Sequence, residues 1–268
     1  MKSEQKKLVD AHAHLCDPAF DNDRPEVLER ARMSGVGTII AVGENISDAR
    51  KNLELAAKHP MLRPAAGLYP THLDLDQARE MRRFIYQERE KFIAIGEVGL
   101  DFWAVKDETE KEVQKEIFKG FINLAEKLNL PLNIHSRSAG RHAVSLLLES
   151  GATRIQLHAF DGRADAALPA VEAGYFFSIP PSIIRSRQKQ KLVKRLPLSC
   201  LLIETDSPVL GPSPGERNEP ANLVISIEAI AEIKNIRKDE IIEAVSENTL
   251  KLYGNFGQML LIRNSNHF

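Results

Sequence analysis

Six residues have the types and placement to do metal chemistry together. His12 and His14 stand one residue apart in Leu8-Val9-Asp10-Ala11-His12-Ala13-His14. Glu97 lies in Gly96-Glu97-Val98-Gly99-Leu100-Asp101, and His135 closes Pro131-Leu132-Asn133-Ile134-His135. His158 closes Ile155-Gln156-Leu157-His158, and Asp206 follows Leu202-Ile203-Glu204-Thr205. Imidazoles and carboxylates are the ligands of zinc and its neighbours. A carboxylate has two oxygens and can bridge two cations, whereas a neutral imidazole cannot. The set therefore reads as a two-metal hydrolytic site with Glu97 as the shared ligand. Two cations about 3.5–4 Å apart hold a water and polarise the bond that it attacks. Asp206 is expected to ligate one ion and to accept the attacking water's proton. The plainer alternative is a set of structural histidines and strand-end carboxylates. Against it, other histidines such as His59 and His267 do not share this placement.

Such a set needs an architecture that gathers many strand ends. All but one of the six directly follow an apolar run of strand length, and His14 sits two residues beyond His12. Eight candidate strands are Lys7–Asp10, Thr38–Val42, Leu62–Gly67, Phe92–Ile95, Leu132–Ile134, Ile155–Leu157, Tyr175–Ser178 and Leu201–Ile203. Helix-like segments separate them. In Thr109–Leu128, for example, Val113, Ile117, Phe121, Leu124 and Leu128 recur at helical spacing. Thr109 and Glu112 read as a capping box at its start. Pro25 and Gly35 mark the start and stop of the first helix. Eight β/α units in 268 residues predict an α/β (β/α)8 TIM barrel, whose C-terminal strand ends converge on one mouth. An open doubly wound sheet is the runner-up; it more often sites a ligand at one switch point. Residues 1–268 are expected to form one domain. Pro208 to Pro220 then serves as the eighth βα loop, and the tail from about residue 255 is peripheral. Strand parity places Asp10 on the face of His12, where it is expected to accept a ring N–H from a ligand histidine. The same parity puts Glu204 beneath Asp206.

Composition narrows the function classes. Net charge is −1, which is not the balance of a protein that coats duplex DNA. The charge is uneven, because Ala173 to Ile203 holds no Asp or Glu and clusters Arg185, Arg187, Lys189, Lys191, Lys194 and Arg195. No apolar run approaches the ~20 residues that span a bilayer, so no membrane partner is expected. Lys2, Lys6 and Lys7 precede no long apolar stretch, so the chain is not read as secreted. The two cysteines, Cys16 and Cys200, fit a reducing compartment, cytoplasmic or nuclear.

In blocks, the sequence resembles the TatD-related metal-dependent deoxyribonucleases. The blocks are His12-x-His14, Gly96-Glu97-Val98-Gly99-Leu100-Asp101, His135-Ser136-Arg137, His158-Ala159-Phe160-Asp161-Gly162, Glu204-Thr205-Asp206-Ser207-Pro208 and Arg217-Asn218-Glu219-Pro220. They run in order from about residue 8 to Tyr253. The resemblance implies an amidohydrolase-like TIM barrel, two divalent cations (Mg, Mn or Zn) and hydrolysis of DNA phosphodiesters, commonly from a 3′ end. It also implies His12, His14, Glu97, His135, His158 and Asp206 as ligands. Single-stranded DNA or a frayed 3′ end is the expected substrate, and a monomer the expected form. One departure stands out: Gly67-Leu68-Tyr69-Pro70 has tyrosine where the family usually has histidine, and His72 lies nearby as a substitute. Arg137, Arg141, Arg163, Arg185 and Arg217 are candidates for phosphate contacts, because guanidinium forks suit phosphate oxygens. The 185–195 run is a further candidate for holding the nucleic-acid backbone. Trp103 is read either as a stacking platform for a base or as a packing residue at the rim. Two other functions remain open on the residues. One is an amidohydrolase cleaving a C–N or ester bond in a small molecule, although many such enzymes carry a bridging lysine where Glu97 stands. The other is a noncatalytic metal- or nucleic-acid-binding protein.

Overall fold

Residues 7–254 are described by the structure, a computed structural model. Apolar strands and amphipathic helices alternate along them, as the periodicity predicts. The order is β1 (Leu8–Ala13), α1 (Arg24–Met33), β2 (Val36–Ala41), α2 (Ile46–Lys58), β3 (Leu62–Ala66), α3 (Leu75–Gln87), β4 (Ala94–Gly99), α4 (Glu108–Leu128), β5 (Leu132–His135), α5 (Gly140–Glu149), β6 (Ile155–His158), α6 (Ala164–Glu172), β7 (Phe176–Ile179), α7 (Arg187–Arg195), β8 (Leu201–Ile203), α8 (Leu223–Lys234) and α9 (Lys238–Tyr253). The eight strands are parallel and neighbour one another in sequence order. That order is the TIM barrel's and excludes the doubly wound sheet, in which strand order reverses. The predicted peripheral tail from about residue 255 lies outside the described residues. Among the described residues, no helix is long and apolar enough to cross a membrane.

Period-two alternation sorts the strands into an outer and an inner face. Leu132, Ile134, Ile155, Leu157, Phe177, Ile179, Leu201 and Ile203 pack in the large core shared with the helices. The residues between them point the other way. Leu202 and Phe176 join a small inner cluster with Ala65 and Ala94. Asn133, Gln156, Ser178 and Glu204 fill the rest of the interior as a buried polar layer. This layer is hydrogen-bonded across strands, with Gln156 Nε2 reaching Ala11 O at 3.1 Å and Ser178 Oγ at 2.8 Å.

The barrel closes at the mouth through single bonds between β1 and the loop after β8. Asp206 N donates to His12 O at 2.8 Å, and His14 N to Ser207 O at 2.7 Å. Asp10 sits fully buried in this seam, accepting from Thr205 N at 2.8 Å. Burial pushes its carboxyl up to about 8, partly offset by the bonds from Thr205 and the His12 backbone.

Several boundaries move relative to the sequence reading. β1 runs to Ala13 and β4 to Gly99, so His12 and Glu97 lie inside strands rather than after them. Parallel pairing extends the ladder past the apolar runs, setting Val98 opposite Ile134 and Gly99 opposite His135. The predicted capping box is also corrected. The cap of α4 is Asp107, whose carboxylate accepts from Thr109 N at 2.9 Å and Glu110 N at 3.1 Å. Glu112 instead pairs with Lys115. A charged oxygen already placed at the N-cap satisfies those donors.

Candidate metal centre

Two glycines let β4 carry Glu97 into the centre. Gly96 and Gly99 have φ of +147° and +144°. A Cβ on Gly96 would meet Asn133 O at 2.5 Å, and one on Gly99 would meet His135 O at 2.1 Å. β5 can therefore lie against β4 only because both side chains are missing. Asp206 is placed differently from the sequence reading. β8 ends at Ile203, and Asp206 has φ of +55°, so strand parity does not carry to it. Its backbone bond to His12 O turns the carboxylate toward the histidines instead.

The six residues converge on one centre, with Glu97 in their midst and almost fully buried. Its two oxygens face different partners. Oε2 is 3.3 Å from His14 Nε2 and 3.8 Å from His12 Nε2. Asp206 Oδ1 stands 3.4 Å from His14 Nε2 and 3.5 Å from His12 Nε2, and the two Nε2 atoms are 3.2 Å apart. Oε1 is 2.6 Å from His135 Nδ1 and 3.1 Å from His158 Nε2. His12, His14 and Glu97 bring ligand atoms close enough to share one ion, with Asp206 Oδ1 beside the two imidazoles. Bond lengths of about 2.0–2.2 Å put tetrahedral ligand atoms roughly 3.3–3.6 Å apart. Glu97 Oε2 is buried without any hydrogen-bond partner, as a site for a cation requires. Around Oε1, the 2.6 Å contact is a hydrogen-bond length, and a cation entering there displaces that proton.

The surroundings orient the rings. Asn133 Nδ2 donates to Ala11 O at 3.2 Å, which leaves Asn133 Oδ1 to face His12 Nδ1 at 2.9 Å. His12 therefore carries its proton on Nδ1 and turns the Nε2 lone pair to the centre. The expected partner, Asp10, accepts instead from the His12 backbone N–H and from Thr205, because it is held in the seam. Glu204 is fully buried; it accepts from Ala159 N and Ser178 Oγ and stands 3.6 Å from His158 Nδ1. Asp101 Oδ2 accepts from His135 Nε2 at 3.1 Å and, at 3.4 Å, from the Tyr69 hydroxyl.

Charge follows geometry. Burial and the neighbouring His158 press His12 down to about 3. Burial opposes charge on His158 as well, but Glu204 and Glu97 hold it up at about 10. His14 and His135 are likewise raised against burial, by Asp206 and Glu97 and by Asp101 and Glu97 respectively. Burial alone would raise Glu97, yet the neighbouring His135, His14 and His158 rings hold it well below the carboxylate range. His135 also holds the Asp101 carboxyl low against burial, so Glu97 and Asp101 carry negative charge into the centre that protons or cations must meet.

A cavity of about 520 Å³ opens above it, with Tyr69, Arg137, Asp161, Lys189 and Leu210 among its walls. Tyr69 packs edge-on to the His135 ring at 4.9 Å, inside the cavity. His72 is half-buried and does not line it. Trp103 is 56% exposed, with the Arg137 guanidinium 3.7 Å from its ring centroid. Arg163 is exposed and outside the cavity. Arg217 is tied to Asp23 at 2.6 Å and to Ala19 O, so its fork is occupied away from the cavity. The basic 185–195 run splits: Lys189 Nζ turns inward to Ala159 O at 2.9 Å, while Arg185 bonds Gly211 O. Asn133, Asp101 and Glu44 are site residues to which the sequence reading gives no role, and Lys189, expected on the nucleic-acid backbone with the rest of its run, instead lines the metal cavity. Asn133 had a readable signal, since it shares strand parity with His135.

Residues 9–254 match the TatD related DNase family. The chain is 46% identical to the Deoxyribonuclease TATDN3 of Homo sapiens, over 97% of this chain and 99% of that one. It is 35% identical to the uncharacterized metal-dependent hydrolase YabD of Bacillus subtilis, over 92% and 98% of the two chains. Among solved structures, YJJV, a TatD homologue from Escherichia coli, superposes with a TM-score of 0.85 at 28% identity, covering 92% of this chain and 98% of that one. The N-acetyl-D-glucosamine-6-phosphate deacetylase of Mycobacterium smegmatis reaches 0.62 at 12% identity, a likeness of fold alone. The family match starts within β1 and ends just past α9, so the whole barrel falls inside it: the chain belongs to the TatD related DNase family of metal-dependent hydrolases.

Proposed function

We propose that the chain is a deoxyribonuclease that hydrolyses DNA phosphodiester bonds with two divalent cations and trims single-stranded or frayed DNA from a 3′ end, acting as a monomer. The observation that carries this reading is the division of the Glu97 carboxylate. One oxygen faces His12, His14 and Asp206, and the other faces His135 and His158. In this reading His12, His14 and Asp206 would hold one cation together with Glu97, and His135 and His158 would hold the other, also with Glu97. Cations there supply charge for a phosphoryl oxygen and lower the pKa of water. Asp206, at the mouth, accepts the attacking water's proton. Asn133 and Glu204 hold the rings of His12 and His158 in place. Tyr69 offers a hydroxyl near Asp101 where histidine is usual, a neutral donor in place of a titratable one. The name of the human relative, a deoxyribonuclease, supports DNA as the substrate.

The test is cleavage of 5′-labelled oligonucleotides by protein stripped with chelator and reloaded with Mg, Mn or Zn, beside ester and amide substrates. A descending ladder, abolished by EDTA, is the expected result. Internal nicks alone refute the polarity. Turnover of an ester or amide without any DNA cleavage refutes the nuclease reading.

A further inference from the structure

A second cleft adjoins the metal cavity, and we propose that it holds the phosphate backbone of a single nucleic-acid strand running away from the cut. The proposal rests on phosphodiester hydrolysis at the metal centre. The cleft measures about 860 Å³ and lies at the N-terminal turns of α5, α6 and α7. Asp161 lines both it and the metal cavity, so the two are contiguous.

Four cations from three helices line the cleft. Arg141 comes from the first turn of α5 and Arg163 from the N-cap of α6. Arg187 and Lys191 lie one turn apart on α7. All four are exposed. Several surface cations elsewhere are met by a carboxylate one turn away, as in Arg32–Glu29, Arg79–Asp76, Lys111–Glu108 and Arg237–Glu240. In the cleft, Arg163 has only a 3.8 Å contact with Asp165, and the other three charged groups face no carboxylate within ion-pair distance among the described residues. Asp161 is already engaged by Ser138 N at 2.7 Å. Between the cations, the backbone at Gly140 and Gly162 packs against the buried Phe160 ring, which a Cβ at either position would meet at 2.8 Å. Gln188 fixes one wall by donating to Phe160 O and Gly162 O. A polyanionic, linear ligand fits a groove lined by four exposed cations, three of which face no carboxylate within ion-pair distance among the described residues. Lys189 is not part of this track, since it turns into the metal cavity.

The experiment compares metal-loaded full-length protein with the double variant Arg141→Glu/Lys191→Glu. A control, Lys194→Glu/Arg195→Glu, makes the same charge change on α7 outside the cleft. KM and kcat are measured on single-stranded oligonucleotides of two to twelve nucleotides at several salt concentrations. For the wild type and the control, KM should fall as the strand lengthens. For the cleft variant it should stay nearly flat, with kcat on the dinucleotide unchanged. The slope of log KM against log salt should shrink by about 1.4, the release expected for two phosphate contacts on a single strand. A cleft variant with the wild-type length dependence overturns the proposal, as does an equal loss in the control. Failure of the wild type to cleave any oligonucleotide with any metal refutes the nuclease reading instead. Anisotropy of a labelled twelve-nucleotide strand then decides the cleft, because equal binding by all three proteins overturns it and selective loss in the cleft variant supports it.

Discussion

Removing the Asn133 side chain tests whether the centre depends on the group that orients its first histidine. Asn133→Ala deletes the 2.9 Å contact with His12 Nδ1 and the 3.2 Å bond to Ala11 O. Ala11 O keeps Gln156 Nε2 at 3.1 Å, so its loss is partial. His12 Nδ1–H is left buried without an acceptor, which costs about 1–3 kcal/mol. The ring can regain a bond only by turning or by changing tautomer, and either takes the Nε2 lone pair from the centre. Loss of such a partner weakens metal affinity by about 10–100-fold. That is roughly 1.4–2.8 kcal/mol at about 1.4 kcal/mol per decade, the size of the lost bond itself. Calorimetric titration of stripped protein with Mn or Zn should therefore show one of two binding steps weakened by that factor and the other unchanged. Excess metal should restore most of kcat. Equal weakening of both steps refutes the assignment of His12 to one ion. So does unchanged affinity in a variant that melts cooperatively.

Three further outcomes are expected. Asp206→Asn keeps the shape, and asparagine tolerates the φ of +55° at this position. The variant should bind metal while kcat falls by about 10²–10⁴-fold, and near-normal kcat would remove Asp206 from proton transfer. Glu97→Gln replaces one of the two oxygens that face opposite histidine pairs, so elemental analysis should show at least one fewer ion per chain than in wild type; full metal content would show that Glu97 bridges nothing. Gly99→Ala forces a Cβ to 2.1 Å from His135 O at a φ that L-residues avoid, so denaturant unfolding should show a loss above about 3 kcal/mol, and a loss within about 0.5 kcal/mol would mean that β4 and β5 can separate freely.

Much of this protein can be read along the chain. Repeating apolar runs and helical periods specify eight β/α units, because each strand and helix must bury one face and the alternation of 3.6 and two is local. Histidines and carboxylates near the ends of separate strands follow from the same pattern, since a parallel barrel brings all those ends to one mouth. What stayed hidden depends on neighbours distant in sequence. Ladder pairing with β5 draws β4 out to Gly99 and sets Glu97 within it. The seam between β1 and the loop after β8 claims Asp10, so Asn133 rather than Asp10 meets the His12 ring. The αL turn at Asp206 replaces strand parity there. The run from Arg185 to Arg195 is uniform in charge, but α7 sends Lys189 to the metal cavity and Arg187 and Lys191 to the adjoining cleft. Helical rotation makes that division, and what each rotated side chain meets is decided by the packing of helices α5 to α7.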